Sequence, residues 1–171
     1  MTHAHTQINQ WLTQIHPALG LDQNGACVLA AGEGRNLELF VGPQGEEFML
    51  STTLMDLPAN SNGGFYMKVL SMNLFMQETR GATIACDEQA GELVLCHNQA
   101  VEGCDLTLFQ NILQNFSRTA ETVQNQLAEI PIVAEAPAAP ASSYMNTYQP
   151  PMHNEPVFED VDPMRHIGKL V

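Results

Sequence analysis

The sequence predicts an α+β protein with the element order α-β-β-β-α-β-β-α and a twisted antiparallel sheet packed by helices. Three observations predict this class. Helical periodicity marks the two ends of the pattern and one central segment, and five short strand-like runs lie between turn sequences rich in glycine. The periodic pattern of apolar residues stops at Pro131, and 7 of the 10 prolines lie within residues 131–171. We therefore expect a folded domain over residues 1–130 and a Pro-rich, acidic, flexible tail over residues 131–171.

The first element is predicted to be an amphipathic helix over about residues 4–18. Its apolar side chains recur at helical spacing and share one face: Ile8, Trp11, Leu12 and Ile15. Pro17 disfavours helical backbone at the residue before it, so the helix should end close to this position.

Three strand-like segments follow, over residues 26–31, 36–41 and 46–54. In the second segment Leu37, Leu39 and Val41 alternate with Glu38 and Phe40. This alternation predicts one face turned toward the core and an aromatic ring on the opposite face. The short turns between the segments favour an antiparallel meander.

The central helix, predicted over Phe65 to Met76, is apolar on two stripes rather than one. The first stripe has Phe65, Val69, Met72 and Met76, and the second has Tyr66, Leu70 and Leu74. A helix that is apolar on most sides must be covered on more than one side. Because the sheet of one domain covers one stripe, the second stripe predicts contact with another copy of the chain.

The last three elements are a hairpin and a long helix. The hairpin is predicted over residues 82–87 and 92–97, with Gly81 ending the preceding helix. The helix should start near Asp105 or Thr107, and its apolar stripe is the strongest periodic signal in the chain: Phe109, Ile112, Phe116, Ala120, Val123, Leu127 and Ile130.

Charge and composition exclude several classes of partner. The chain has 6 Lys and Arg against 19 Asp and Glu, which gives a net charge of −13. This charge repels nucleic-acid phosphates and anionic lipids, so we expect neither nucleic-acid binding nor membrane insertion. The opening lacks a signal-peptide pattern, and the 4 cysteines form no C-x-x-C pair. We therefore expect a cytoplasmic protein.

No set of residues converges on catalysis, so the sequence predicts no catalytic residue, metal site or cofactor. His3 and His5 offer two imidazoles to copper or nickel, but a leader with two histidines is common without a metal. A thiol-dependent enzyme acting through Cys86 or Cys96 is another alternative. Both cysteines lie beside apolar residues in strand-like runs, so we expect them to pack in the core.

Two stretches of the sequence resemble a known family. The segment Val69-Leu70-Ser71-Met72-Asn73-Leu74-Phe75-Met76 is followed by Gly81 and then by the hairpin with Thr83-Ile84-Ala85-Cys86-Asp87 and Gly91-Glu92-Leu93-Val94-Leu95. Together with the element order, the acidity and the size, these stretches resemble the class I type III secretion chaperones, the Tir-chaperone or CesT-like family. The resemblance covers roughly residues 4–130.

The resemblance implies a bacterial cytoplasmic homodimer that binds the N-terminal region of secreted effectors, keeps it extended and helps deliver it to the secretion machinery. The tail over residues 131–171 makes the secretion ATPase a further candidate partner. Its dimer helix maps onto Phe65, Tyr66, Val69, Met72, Asn73 and Met76. Its effector contacts map onto the first helix and the sheet, here Ile8, Trp11, Ile15, Leu29, Leu39, Phe40, Val41 and Met49. The sequence leaves open an alternative: a dimeric adaptor or regulator of the same fold that sequesters a transcription factor or another chaperone.

Overall fold

The computed structural model describes residues 2–32, 34–59 and 63–132. Within these residues the helices and strands follow the predicted order, and the α+β class is confirmed. The helices are α1 (His3–Ile15), α2 (Gly63–Met72) and α3 (Leu106–Ala128), and the strands are β1 (Ala26–Ala30), β2 (Asn36–Val41), β3 (Glu47–Asp56), β4 (Thr83–Asp87) and β5 (Glu92–Ala100). The predicted tail lies outside the described residues except for its first two positions, so the domain boundary stays a prediction.

Polar side chains fix the starts of α1 and α3. At α1, Thr2 and His5 form a capping box, with Thr2 Oγ1 and His5 Nδ1 2.7 Å apart. His5 is therefore part of a helix, not of a loose leader. At α3, the Asp105 carboxylate accepts the Leu108 N–H at 2.7 Å.

The five strands form one antiparallel sheet in the order β1-β2-β3-β5-β4. The predicted meander holds for the first three strands. The last hairpin attaches through β5, which pairs along nearly all of β3, and this leaves β1 and β4 as the two edges.

In the described residues, one core lies between one face of the sheet and the helices. Alternate residues of β2 and β3 are buried, as the alternation predicted, and the helices place their apolar stripes against them. Phe109 of α3 is fully buried between Trp11 and Phe48, with ring centroids 5.3 Å from each. The opposite face of the sheet carries exposed or half-buried side chains.

The central helix is shorter than the sequence predicted. It ends at Met72, and Leu74–Met76 form one 3-10 turn in which Phe75 and Met76 have left-handed φ values of 59° and 53°. The Asn73 amide fastens this turn to β4, because its Oδ1 accepts the Ile84 N–H at 2.8 Å and its Nδ2 donates to the Ile84 carbonyl at 3.0 Å. The turn therefore leaves the line of the helix, and Met76 does not continue the buried stripe.

Candidate functional site

One apolar surface lies on α2 and the turn after it. We call it the helix surface, and it comprises Tyr66, Met67, Leu70, Leu74, Phe75 and Met76. Leu70 is 61% exposed and Phe75 is 82% exposed, although both are large and apolar. Residues 63–77 contain one charged side chain, Lys68. An uncharged, contiguous apolar patch of this kind is typical of an interface between protein chains.

A second apolar surface lies on the open face of the sheet. We call it the sheet surface, and it comprises Val28, Phe40 and Met49. Phe40 on β2 lies directly opposite Met49 on β3, so the two side chains are cross-strand neighbours. Val28 on β1 is 58% exposed and lies opposite Glu38. The sheet surface therefore combines three apolar side chains with the neighbouring carboxylate of Glu38.

The β2–β3 turn extends the sheet surface into a shallow concavity of about 460 Å³. Phe40, Met49 and Pro43 provide apolar walls, and Glu46 and Glu47 lie at the same concavity. Among the residues that the structure describes, 13 Asp and Glu are set against 4 Lys and Arg, so 4 − 13 gives a net charge of −9. The electrostatic field around the sheet surface thus favours a positively charged partner.

The effector-contact residues predicted from the sequence divide into two groups. Ile15, Phe40 and Met49 are exposed, at 37% to 38% of their surface. The other five are buried in the core of the subunit: Ile8, Trp11, Leu29, Leu39 and Val41. Because these five side chains lie on the inward stripes of α1, β1 and β2, they present almost no surface to a client. The candidate site is revised to the exposed members together with Val28.

The predicted dimer residues divide in the same way. Phe65, Val69 and Met72 are at most 3% exposed, because they pack inward from α2. The side-chain amide of Asn73 is hydrogen-bonded to the backbone of Ile84 on β4, within the subunit. Tyr66 and Met76 are exposed and belong to the helix surface. The prediction of an outward apolar stripe pointed to Leu70 and Leu74, whereas no signal in the sequence indicated that Phe75 projects outward.

The cysteines do not all pack as predicted. Cys86, at the β4 edge, is exposed, and Cys96 is half-buried on the open face of the sheet, so the expectation of core packing is wrong for both. Cys27 and Cys104 are buried. Burial raises the pKa of both thiols, and the nearby Asp22 and Asp105 carboxylates raise them further.

A thiol reagent at neutral pH is expected to modify Cys86 of the native protein well before Cys27 and Cys104, because the buried thiols are both shielded and protonated. Mass spectrometry of peptides after timed labelling measures this order. Denaturant provides the control, since it should remove the difference. Fast labelling of Cys27 in the native protein would contradict the burial described here.

Within residues 2–32, 34–59 and 63–132, no three His, Cys, Asp or Glu side chains are grouped to hold a metal ion. Over the same ranges, no helix has the length and apolarity that crossing a bilayer requires.

Two exposed apolar surfaces on an α+β fold are typical of a protein that binds other proteins. The family model of the Tir chaperone protein (CesT) family matches residues 8–124. The chain belongs to this family, so the effector-binding chaperone of type III secretion predicted from the sequence is confirmed as its class. None of the curated protein sequences compared with this chain matches it.

Solved structures share the fold at low sequence identity. A chain of the ExsC–ExsE complex is 21% identical, with a TM-score of 0.62 over 72% of this chain and 95% of that one. A chain of the Pseudomonas aeruginosa ExoT–SpcS complex is 19% identical, with a TM-score of 0.52 over 71% and 97%. A chain of the complex between the Yersinia pestis type III secretion chaperone SycH and a fragment of YscM2 is 14% identical, with a TM-score of 0.53 over 70% of this chain and 98% of that one.

Proposed function

We propose that this protein is a bacterial cytoplasmic homodimer that captures the N-terminal region of a secreted effector on its sheet surface. It holds that region extended and delivers it to a type III secretion apparatus, where the secretion ATPase is a further candidate partner. The observation that carries the proposal is the match to the Tir chaperone protein family over residues 8–124. The exposed Phe40–Met49 pair, flanked by carboxylates, supports the sheet as the client side.

Capture requires no bond-breaking step, so we propose a non-enzymatic function. An extended client offers backbone hydrogen bonds and alternate side chains, which suit an open sheet better than a closed pocket does. The solved relatives named above are complexes of two proteins, and one of them is described as a type III secretion chaperone with a fragment of a second protein. These relatives support a protein client for this chain.

The homodimer is a separate part of the proposal. The helix surface is uncharged apart from Lys68, so two copies can meet there without bringing their carboxylates together. Elsewhere, two subunits whose described residues each carry −9 repel one another. The two apolar surfaces thus suit different partners, a second copy for the helix surface and a client for the sheet surface.

Replacing Phe40 and Met49 with alanine together is expected to lower effector capture at least about tenfold, because two apolar side chains lose their contact with the client. The measurement is co-purification of tagged chaperone with secreted proteins from the native bacterium, each identified by mass spectrometry. Leu108→Ala is the matched control, since Leu108 is also an exposed apolar residue and lies on α3 outside both surfaces.

The identity of the captured chain decides the proposed function. A secreted protein held through its N-terminal region supports it. Recovery of a transcription factor or another chaperone instead would favour the adaptor alternative. Equal recovery by the double alanine variant and the wild type would mean that the client binds elsewhere.

A further inference from the structure

A small cavity of about 200 Å³ lies between α3, the last part of β5 and the turn that leads into β4. We call it the Arg80 cavity. Its lining combines polar side chains with apolar ones, among them Thr79, Arg80, His97, Asn115, Ile112 and Phe116. The cavity shares no residue with the helix surface or the sheet surface, so the proposed function leaves it unexplained.

The charge around the Arg80 cavity differs from that of the rest of the domain. No Asp or Glu lines this cavity, whereas four larger concavities of the described residues each carry at least two carboxylates. Arg80 is one of only 4 Lys and Arg that stand against 13 Asp and Glu in the same residues. An anion can therefore approach this cavity without meeting a carboxylate at its wall.

The Arg80 side chain is available to such an anion. Within the part of the chain that the structure describes, its guanidinium makes no hydrogen bond or ion pair. The backbone beneath it is fixed by a turn, because the Ala82 N–H donates to the Thr79 carbonyl at 2.9 Å. Arg80 and Gly81 form this turn with left-handed φ values of 50° and 87°. The turn thus holds a cation in a backbone conformation that is uncommon for arginine.

The Thr79 hydroxyl points to a ligand independently of the charge. Thr79 has no exposed surface, and its Oγ1 has no hydrogen-bond partner among the described residues. A buried hydroxyl left unpaired costs stability, so such a group in a native protein requires an explanation. Because Thr79 lines the cavity next to Arg80, a ligand in the cavity can supply the missing partner.

His97 and the apolar lining complete the cavity. His97 Nδ1 lies 3.3 Å from the Gly81 carbonyl oxygen. A carbonyl oxygen only accepts, so Nδ1 carries the hydrogen of this contact and Nε2 is the ring nitrogen left for a ligand. The imidazole also packs beside Phe116, with ring centroids 6.4 Å apart. Phe116 and Ile112 provide an apolar wall suited to a hydrocarbon stem.

We propose that the Arg80 cavity binds a carboxylate on a short apolar stem. The carboxylate pairs with the Arg80 guanidinium and accepts the Thr79 hydroxyl, while the stem contacts Phe116 and its apolar neighbour. At the ~30 Å³ that one water occupies in the liquid, the cavity has room for about six non-hydrogen atoms, which is the size of butanoate. A free short-chain acid and a glutamate side chain of another protein both offer this chemistry.

The test titrates the isotope-labelled full chain with sodium butanoate and follows the backbone amide signals by NMR. We expect saturable shifts at Arg80 and Gly81 with a Kd of about 1 mM, a strength suited to so small a ligand. Arg80→Asn should weaken binding at least about tenfold, because asparagine adopts left-handed φ readily but lacks the charge. Arg118→Asn is the matched control, since Arg118 is exposed on α3 outside the cavity and its loss should leave the Kd unchanged.

Thr79→Val separates a binding role from a structural one. The change removes the hydroxyl and keeps the branched shape of the side chain. Because this hydroxyl has no partner within the described residues, the urea midpoint of the ligand-free protein should stay the same or rise, while butanoate binds about fivefold more weakly. A lower midpoint with unchanged binding would make Thr79 structural and would overturn its role here.

Two further comparisons identify the ligand and its source. Butanamide, which has the shape of butanoate without its charge, should bind at least about tenfold more weakly. A capped Ser-Gly-Glu-Gly-Ser peptide that binds more tightly than butanoate, and more tightly than its Gln counterpart, would assign the site to a protein side chain. Binding of butanoate without binding of that peptide would assign it to a free acid.

Four outcomes overturn the inference: no saturable shift with butanoate, equal binding of butanamide, equal binding by Arg80→Asn, or tighter binding of inorganic phosphate than of butanoate. Each of them is measured on the isolated chain and leaves effector capture by co-purification untouched. Failure of this inference and failure of the proposed function are therefore distinguishable.

Discussion

Leu70→Asp is expected to convert the proposed dimer into single folded subunits. Leu70 is 61% exposed in the helix surface, so the subunit itself loses little when the side chain changes. In a dimer, the new carboxylate would be buried against apolar groups without a partner. An unpaired buried charge costs about 3–5 kcal/mol, which weakens association more than a hundredfold. Light scattering at micromolar concentration measures the change in mass.

The controls separate loss of association from loss of folding. Gln114→Asp adds the same charge at an exposed position on α3 and should leave the mass unchanged. Val69→Asp should unfold the subunit instead, since Val69 is 3% exposed. A wild type that is monomeric at micromolar concentration, or a Leu70→Asp protein with the mass of the wild type, would refute the helix surface as the dimer interface.

Phe109→Ala is expected to lower the free energy of unfolding by about 3–5 kcal/mol, a large part of the stability of a domain of this size. Phe109 has no exposed surface and contacts the rings of Trp11 and Phe48, which belong to α1 and β3. Its removal leaves a cavity where α1 and α3 meet the sheet. Urea denaturation followed by tryptophan fluorescence measures the loss.

The neighbouring residue provides the control for this prediction. Leu108→Ala lies one position earlier on α3, but Leu108 is 42% exposed, so the change should cost less than about 1 kcal/mol. Similar losses for both variants would mean that α3 does not bury its predicted stripe. Trp11→Ala should resemble Phe109→Ala, because Trp11 is 6% exposed and belongs to the core.

Most of the fold could be predicted because its elements carry local signals. The β2 strand has the predicted bounds, and alternation in Leu37 to Val41 gave its buried face. The pairing of β5 with β3 could not be predicted in this way. It is a long-range contact, and it depends on how α2 directs the chain across the sheet. No local pattern distinguishes β5 from β4 as the partner of β3.

The end of α2 shows why the site was harder to predict than the fold. Helical periodicity continues to Met76 in the sequence, but the chain takes left-handed backbone angles at Phe75 and Met76, where neither residue is glycine. The bond from Asn73 to Ile84 stabilises this turn, and it joins residues 11 positions apart. Since apolar residues suit either a core or a surface, Trp11 and Phe40 could not be separated by residue type alone.

The two hydrogen bonds from the Asn73 amide to the backbone of Ile84, on the edge strand β4, have a consequence at high protein concentration. A protein that holds unfolded chains beside an open sheet risks seeding fibrils, because each added strand exposes a fresh edge for the next. Here the Asn73 amide already pairs with the Ile84 N–H and C=O, so the β4 edge offers little length for a further strand. We expect the protein to tolerate crowding with its client without growing into amyloid-like stacks.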